Sequence, residues 1–311
     1  MNASVDSGEP AMRATPGPGP GPGPLRFITG TSLFDGHDAA INVMRRLIQA
    51  RGVEVVHLGH NRSVADLVRA AIQEDADGIA MTSYQGGHNE YFRYMIDMLR
   101  ERGAGHIRVF GGGGGTITQA EIAALHDYGV ERIYHPQDGA KLGLAGMIDD
   151  VVERCRIGRR ARRCPEFVSA DDPVSVAAML SALDDGLVGE AALGKLRCQW
   201  QDAGSRVPVV GITGTGGSGK SSFTDELLSR FLQCFPGIRI AVLAVDPTRR
   251  RTGGALLGDR IRMNSLRSDD VFMRSEHRIN KAHASSSCRA EQVTGPSRPT
   301  GSTLQPSLSG P

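Results

Sequence analysis

From Leu25 to Arg156 the chain alternates short apolar runs with longer segments whose apolar residues recur every three or four positions. The runs are Leu25–Thr29, Val53–Leu58, Gly78–Thr82, Ile107–Phe110 and Arg132–Tyr134. Between them, Asp38–Ala50, Ser63–Glu74, Asn89–Arg102, Thr118–Tyr128 and Ala140–Arg154 carry the helical period. Five strands alternating with five helices predict a parallel sheet covered on both faces. Right-handed crossovers then close it as an α/β, flavodoxin-like, doubly wound domain over about 25–156. Such sheets take their ligands outside the carboxyl ends of the strands.

Composition narrows the class. Of 311 residues, 40% are hydrophobic and 23% charged, which can bury a core and excludes wholesale disorder. The 40 glycines keep no three-residue period outside one tract, which excludes collagen. A net charge of +2 offers no field for nucleic acid. No apolar run reaches the eighteen or so residues of a membrane span, and no secretory signal is visible. Five scattered cysteines predict a reduced, cytoplasmic protein.

Around this domain the texture changes. Residues 1–24 end in alternating Pro and Gly, a tract that builds neither helix nor ladder, and predict a disordered leader. Arg154–Cys164 holds six arginines and reads either as a solvated linker or as a docking strip within a 157–206 connector, where Val174–Gln201 predicts one or two helices. A second α/β unit is expected over 207–274. It would run from a strand at Val207–Thr213 through a helix at Ser221–Cys234 to a strand at Arg239–Val245. Residues 275–311 are rich in Ser, Pro, Arg and Thr, and predict a disordered or out-of-frame tail that leaves the second unit incomplete.

Two loops carry chemistry. After the first strand, Asp35-Gly-His37 places an imidazole at the ligand edge. A neutral imidazole suits cobalt, iron or zinc, and a carboxylate that accepts the other ring N–H fixes the tautomer. By itself the pair also fits a capping or hydrogen-bonding histidine. Thr82–His88 and the five glycines Gly111–Gly115 share that edge and would let something bulky approach the backbone.

The combination resembles the cobalamin-binding domain of acyl-CoA mutases, whose D-x-H-x-x-G, S-x-L and G-G patterns appear as Asp35-Gly-His37…Ala40, Ser83-Tyr-Gln85 and Gly112-Gly113. Ala40 and Gln85 depart from it. The wording Phe34–Ala40, Leu58–Ser63 and Ser83–His88 is most similar to the fused isobutyryl-CoA mutases. The resemblance implies that His37 binds the cobalt of adenosylcobalamin from below, oriented by Asp35. The displaced nucleotide tail would then thread beside Ser83, Gly112 and Gly113.

The second loop, Gly214-Thr-Gly-Gly-Ser-Gly-Lys-Ser221, is a complete G-x-x-x-x-G-K-[ST] match between an expected strand and helix. Backbone N–H groups around Gly217, Ser218, Gly219, Lys220, Ser221 and Ser222 would cradle phosphates, with Lys220 as the catalytic cation and Ser221 on Mg²⁺. Asp246 and Asp259 suit a hydrated Mg²⁺. The stretch Val245–Met263 resembles the G-protein chaperones of acyl-CoA mutases. That implies GTP as the nucleotide, Ser221, Asp246 and Asp259 on magnesium, and Arg262 near the nucleotide. An Asn-Lys-x-Asp guanine motif is not found; Asn280-Lys-Ala-His283 lacks the aspartate.

The sequence therefore predicts the N-terminal part of a cobalamin-dependent mutase that interconverts isobutyryl-CoA and butyryl-CoA, with an attached GTPase chaperone. The acyl-CoA would be met only in a longer parent, which the resemblance implies is a homodimer. No nucleic acid or membrane partner is expected. A stand-alone cobalamin carrier without catalysis is the alternative. A P-loop NTPase joined to a receiver-like sheet is less favoured, because the acidic cluster and lysine of a receiver are not evident at the strand ends.

Overall fold

Strand-face alternation organises the larger sheet. In the computed structural model, Phe27 and Ile28 are both fully buried, yet they belong to two separate cores on opposite faces. The structure describes residues 23–157, 159, 164–165, 168–204, 207–245, 256–257 and 259–276. Strands β1 (Arg26–Thr31), β2 (Glu54–His57), β3 (Gly78–Thr82), β4 (Arg108–Gly112), β5 (Arg132–Tyr134) and the short β7 (Leu256–Leu257) pair in parallel in the order β5-β4-β3-β1-β2-β7. The first five follow the expected flavodoxin-like order, with the switch point between β1 and β3.

Helices α2 (Val64–Gln73), α3 (His88–Glu101) and α4 (Gln119–Tyr128) cover one face, over Ile28, Ile79 and Val109. The other face, over Phe27, Val55 and Phe110, is covered by α1 (Asp38–Ala50) and α5 (Pro136–Ile157). Local chemistry sets the helix starts. The Ser63 hydroxyl accepts from the Asp66 amide, and Thr118 with Glu121 forms a full capping box. Gly78 is required by packing, since a Cβ there would lie 2.8 Å from the Phe27 ring. Helix α5 starts earlier than its apolar period suggests and breaks at Gly143, whose φ is +67°.

Beyond α6 (Pro173–Asp184) and α7 (Glu190–Gly204), α8 (Lys220–Cys234) buries Leu228 against Met263, Leu266, Val271 and Met273. Strand β6 (Ile240–Val245) pairs in parallel with β8 (Val271–Glu276). Two features differ from expectation here. The apolar segment Val207–Ile212 is not a strand: its residues are exposed, and among the described residues none pairs with it. An apolar strand of a parallel sheet needs partners on its edges, and β6 and β8 bond only to each other. Strand β8 was hidden because Arg274, Ser275 and Glu276 interrupt its apolar run, yet all three are buried.

They are buried because a charge network receives them. Glu74, wholly inaccessible, accepts from Arg260 Nε at 2.7 Å, lies 3.4 Å from Arg26 Nη1, and accepts the Ser275 amide at 3.2 Å. Arg26 also donates to Glu54 at 2.8 and 2.9 Å, and the Arg260 guanidinium bonds the Met273 carbonyl. Burial alone would raise the Glu74 carboxyl, but Arg260, Arg26 and Arg274 outweigh it and hold it below the usual carboxylate range.

Removing one member of a buried pair strands its partners. Glu74→Ala is therefore expected to cost about 3–5 kcal/mol in urea unfolding at pH 7. The lowered folded value means that Glu74 contributes its stability above the unfolded value of about 4.3, and that this is lost on acidification. Glu74→Gln should accordingly flatten the fall in stability below about pH 4, measured by unfolding at a series of pH values.

Candidate functional site

The loop after β1 is tied down from several sides. The buried Asp35 carboxylate accepts, on Oδ1, the His37 amide at 2.9 Å and the His37 ring Nδ1 at 2.8 Å. On Oδ2 it accepts the Tyr84 amide at 2.8 Å, which fastens the loop after β1 to the loop after β3. Burial pushes this carboxyl up, but the two backbone amides and the imidazole bring it below its ordinary value. An ionised carboxylate has no proton to give, so in the neutral imidazole Nδ1 carries the proton and Nε2 the lone pair. The His37 side chain is 68% exposed and the Asp35 side chain 0%. His37 occupies the N-cap position of α1, yet its side chain makes no capping bond; its ring bonds Asp35 instead.

Beneath this loop a slot of about 250 Å³ lies between the sheet and helices α1 and α5. Its walls include Ile41, Met44, Thr82, Tyr84, Gly112, Gly113, Tyr134 and Met147. The Thr82 Oγ1 is buried in this wall without a hydrogen-bond partner. Ser83 does not line the slot. Its hydroxyl accepts from Ser32 Oγ at 2.9 Å and borders a separate recess. Successive residues along an extended chain face opposite sides, so the hydroxyl at the slot is that of Thr82, one residue before the expected one. Reading the S-x-L pattern as Thr82-Ser83-Tyr84 would have found it.

The glycine run serves packing as much as access. A Cβ on Gly113 would collide with the Ser83 carbonyl oxygen, and one on Gly111 with the Phe92 ring. At Gly112 the nearest atom would be the Tyr134 carbonyl oxygen at 3.6 Å, so a side chain fits there only by facing the slot.

At the second loop, Gly217 and Gly219 take φ of +79° and +83°, a conformation that favours glycine, and α8 opens at Lys220. Lys220 Nζ donates to the Gly214 and Thr215 carbonyls, each at 2.9 Å. Ser218 closes a turn with its amide on the Thr215 carbonyl, and Ser221 and Ser222 fall in the first helical turn. Asp246 and the Asp259 side chain lie outside the described residues. Arg262 is exposed at the end of the turn Asp259–Arg262, whereas Arg260 faces the buried network. Asp225, unremarked in the sequence, accepts the Ser265 amide and hydroxyl at 2.8 and 2.6 Å, joining α8 to the segment before β8.

These contacts separate structural from permissive glycines. Gly113→Ala is expected to destabilise the chain by about 1–3 kcal/mol, because a backbone carbonyl cannot move aside cheaply. Gly115→Ala, which meets open space, should change the melting temperature by under about 2 °C.

Two protein families match the segments that contain these loops. The B12 binding domain family matches residues 25–141, and the Methylmalonyl Co-A mutase-associated GTPase MeaB family matches residues 190–291. The fused isobutyryl-CoA mutase of Cupriavidus metallidurans is 56% identical over 254 residues, covering 81% of this chain and 23% of that protein. The same enzyme of Geobacillus kaustophilus is 55% identical over 258 residues, covering 81% and 24%. The 2-hydroxyisobutanoyl-CoA mutase small subunit of Aquincola tertiaricarbonis is 32% identical over 99 residues, which are 32% of this chain and 71% of the subunit. The chain spans about a quarter of the length of the fused relatives. The chain thus carries a B12 binding domain followed by a MeaB-type GTPase segment, and over 81% of its length it is similar to the fused isobutyryl-CoA mutases.

Proposed function

We propose that this chain holds adenosylcobalamin on His37 and GTP with Mg²⁺ on the Gly214–Ser221 loop, serving the interconversion of isobutyryl-CoA and butyryl-CoA by the whole protein. The observation that carries the reading is the Asp35–His37 pair. A buried, ionised carboxylate fixes the imidazole tautomer so that Nε2 is free for a cobalt ion. Among the described residues no group of three or more His, Cys, Asp or Glu converges, so His37 would be a single ligand to a metal already held by its own macrocycle.

The slot supports the same ligand. The cofactor's dimethylbenzimidazole is a flat, largely apolar group with a ring nitrogen that can accept a hydrogen bond, and these walls would hold it. The slot offers apolar walls, a missing side chain at Gly112 and one unsatisfied hydroxyl at Thr82, which would donate to that nitrogen. When bound, adenosylcobalamin supplies a cobalt–carbon bond whose homolysis starts the rearrangement. This chain's own residues would orient the axial nitrogen, house the tail and keep water from the lower face.

At the nucleotide loop, Lys220 would leave the Gly214 and Thr215 carbonyls for the β- and γ-phosphates, where it stabilises developing charge. Ser221, with Asp246 and Asp259, would hold Mg²⁺, and Arg262 would approach the nucleotide. Hydrolysis of GTP would gate cofactor loading. No helix among the described residues is long and apolar enough to cross a membrane, and a cytoplasmic homodimer belongs to the same proposal.

Titration of the chain with aquocobalamin should give the absorbance of a base-off, histidine-ligated form, with His37→Ala losing that spectrum. An unchanged spectrum in His37→Ala would remove the cobalt ligand from this histidine. Separately, Lys220→Ala should lower the affinity for a fluorescent GTP analogue roughly tenfold or more, in line with the loss of a charge-assisted contact. Competition by ATP as strong as by GTP would contradict the guanine assignment.

A further inference from the structure

Phe34, three residues before His37, departs from what local physics favours. Its φ is +62°, a left-handed conformation that is costly for bulky residues and that they rarely adopt. Its side chain is 81% exposed, so burial does not repay that cost. The conformation is instead imposed from two other loops. The Phe34 amide donates to Asn61 Oδ1 at 2.8 Å, and the Phe34 carbonyl accepts from Gln85 Nε2 at 2.7 Å. Asn61 is itself left-handed, with φ +54°, and its amide donates to Thr31 Oγ1 at 3.1 Å. The Thr31 hydroxyl donates in turn to the Asp35 carbonyl at 3.0 Å. Backbone strain of this kind persists only where surrounding contacts over-determine it, and an observed outlier of this kind is grounds for a functional hypothesis.

The brace fixes the backbone that carries an exposed aromatic ring at the rim of the His37 loop, on the border of an open recess of about 570 Å³ shared with Leu33, Tyr91 and Tyr94. This recess is distinct from the slot lined by Gly112 and Thr82. We propose that Phe34 is a pre-positioned apolar contact for the corrin macrocycle itself, a further cobalamin-binding residue separate from the cobalt ligand and from the tail slot. The proposal rests on the cobalamin reading above. A large ring anchored at its centre by one axial nitrogen can still rotate and tilt, and a rigid aromatic contact off that axis restrains it. Holding the backbone that carries the ring before binding lowers the ordering cost of the complex.

The test uses the full chain and two probes, aquocobalamin and diaquocobinamide; the second keeps the corrin and lacks the nucleotide tail. Phe34→Ala should weaken both by the same factor, roughly tenfold or more for loss of an aromatic contact. Its melting temperature should hold, since the side chain is largely exposed in the free protein. Phe34→Leu should restore most of the affinity. Gly112→Val, which fills the slot, should weaken cobalamin and leave cobinamide unchanged. A Phe34→Ala chain that binds both probes as tightly as the parent overturns the inference while leaving the cobalamin reading intact. Weakening confined to cobalamin overturns it too, by placing Phe34 on the tail. A parent chain that binds neither probe sinks the cobalamin reading and this inference together.

Discussion

The ligand edge of the sheet depends on one buried carboxylate. Asp35 takes three hydrogen bonds, from the His37 amide, the His37 ring and the Tyr84 amide, and each restrains a different element. The first shapes the turn into α1, the second selects the imidazole tautomer, and the third locks the loops on either side of the β1–β3 switch point. Left without these donors, the burial of a carboxylate would favour its protonated form, and an Asp35 hydroxyl could no longer dictate where the imidazole proton sits. Loop geometry and ligand chemistry are therefore one interaction. An asparagine of the same shape would keep acceptor oxygen for two of the donors but lose the charge that supports a histidine bound to a metal.

The opposite edge of the sheet solves a different problem with similar means. Arg26 opens β1 at the amino end, where α2 ends and a segment from 200 residues downstream returns. Three buried arginines surround Glu74, and such a cluster adds little net stability over well-packed apolar residues. What it supplies is specificity of arrangement, because each cation demands its partner. The polar end of β8 can enter a buried site only where Glu74 and Arg26 already wait. The same turn that sends Arg260 inward leaves Arg262 exposed. In this way the chemistry near the nucleotide segment is anchored to the first sheet by a residue whose role is structural.

Much of this was legible in the sequence, for stated reasons. The five strands and helices of the first sheet announce themselves because burial on both faces leaves continuous apolar runs and amphipathic helices between them. Asp35, His37 and the phosphate loop are legible because their spacing is dictated by chemistry rather than by packing. What escaped was information of period two and of distant partners. Ser83 and Thr82 are adjacent hydroxyls, and only the direction of the backbone at the end of β3 decides which one meets the slot. Strand β8 reads as polar because its partners are far away in sequence: Arg274 meets Ser181 and Asp184 of α6, and the Ser275 amide meets Glu74 just after α2. The run Val207–Ile212 shows the converse failure. Apolar character announces a strand, but a strand exists only through its neighbours, and among the described residues this segment has none.

The two glycine-rich sites then illustrate two uses of one residue. In the nucleotide loop, Gly217 and Gly219 are chosen for torsion, since positive φ turns successive N–H groups toward a common centre. In the run Gly111–Gly113 no glycine takes a positive φ, and the requirement is volume: Gly111 yields to Phe92, Gly113 to the Ser83 carbonyl, and Gly112 to the slot. Phe34 stands against both, a residue with a large side chain held where glycine would sit at no cost. If conformation alone were needed at that position, glycine would serve better and remove an exposed ring. Two backbone hydrogen bonds, to Asn61 and from Gln85, hold the conformation in the free protein, and the exposed ring is what a glycine there would not offer to a complex.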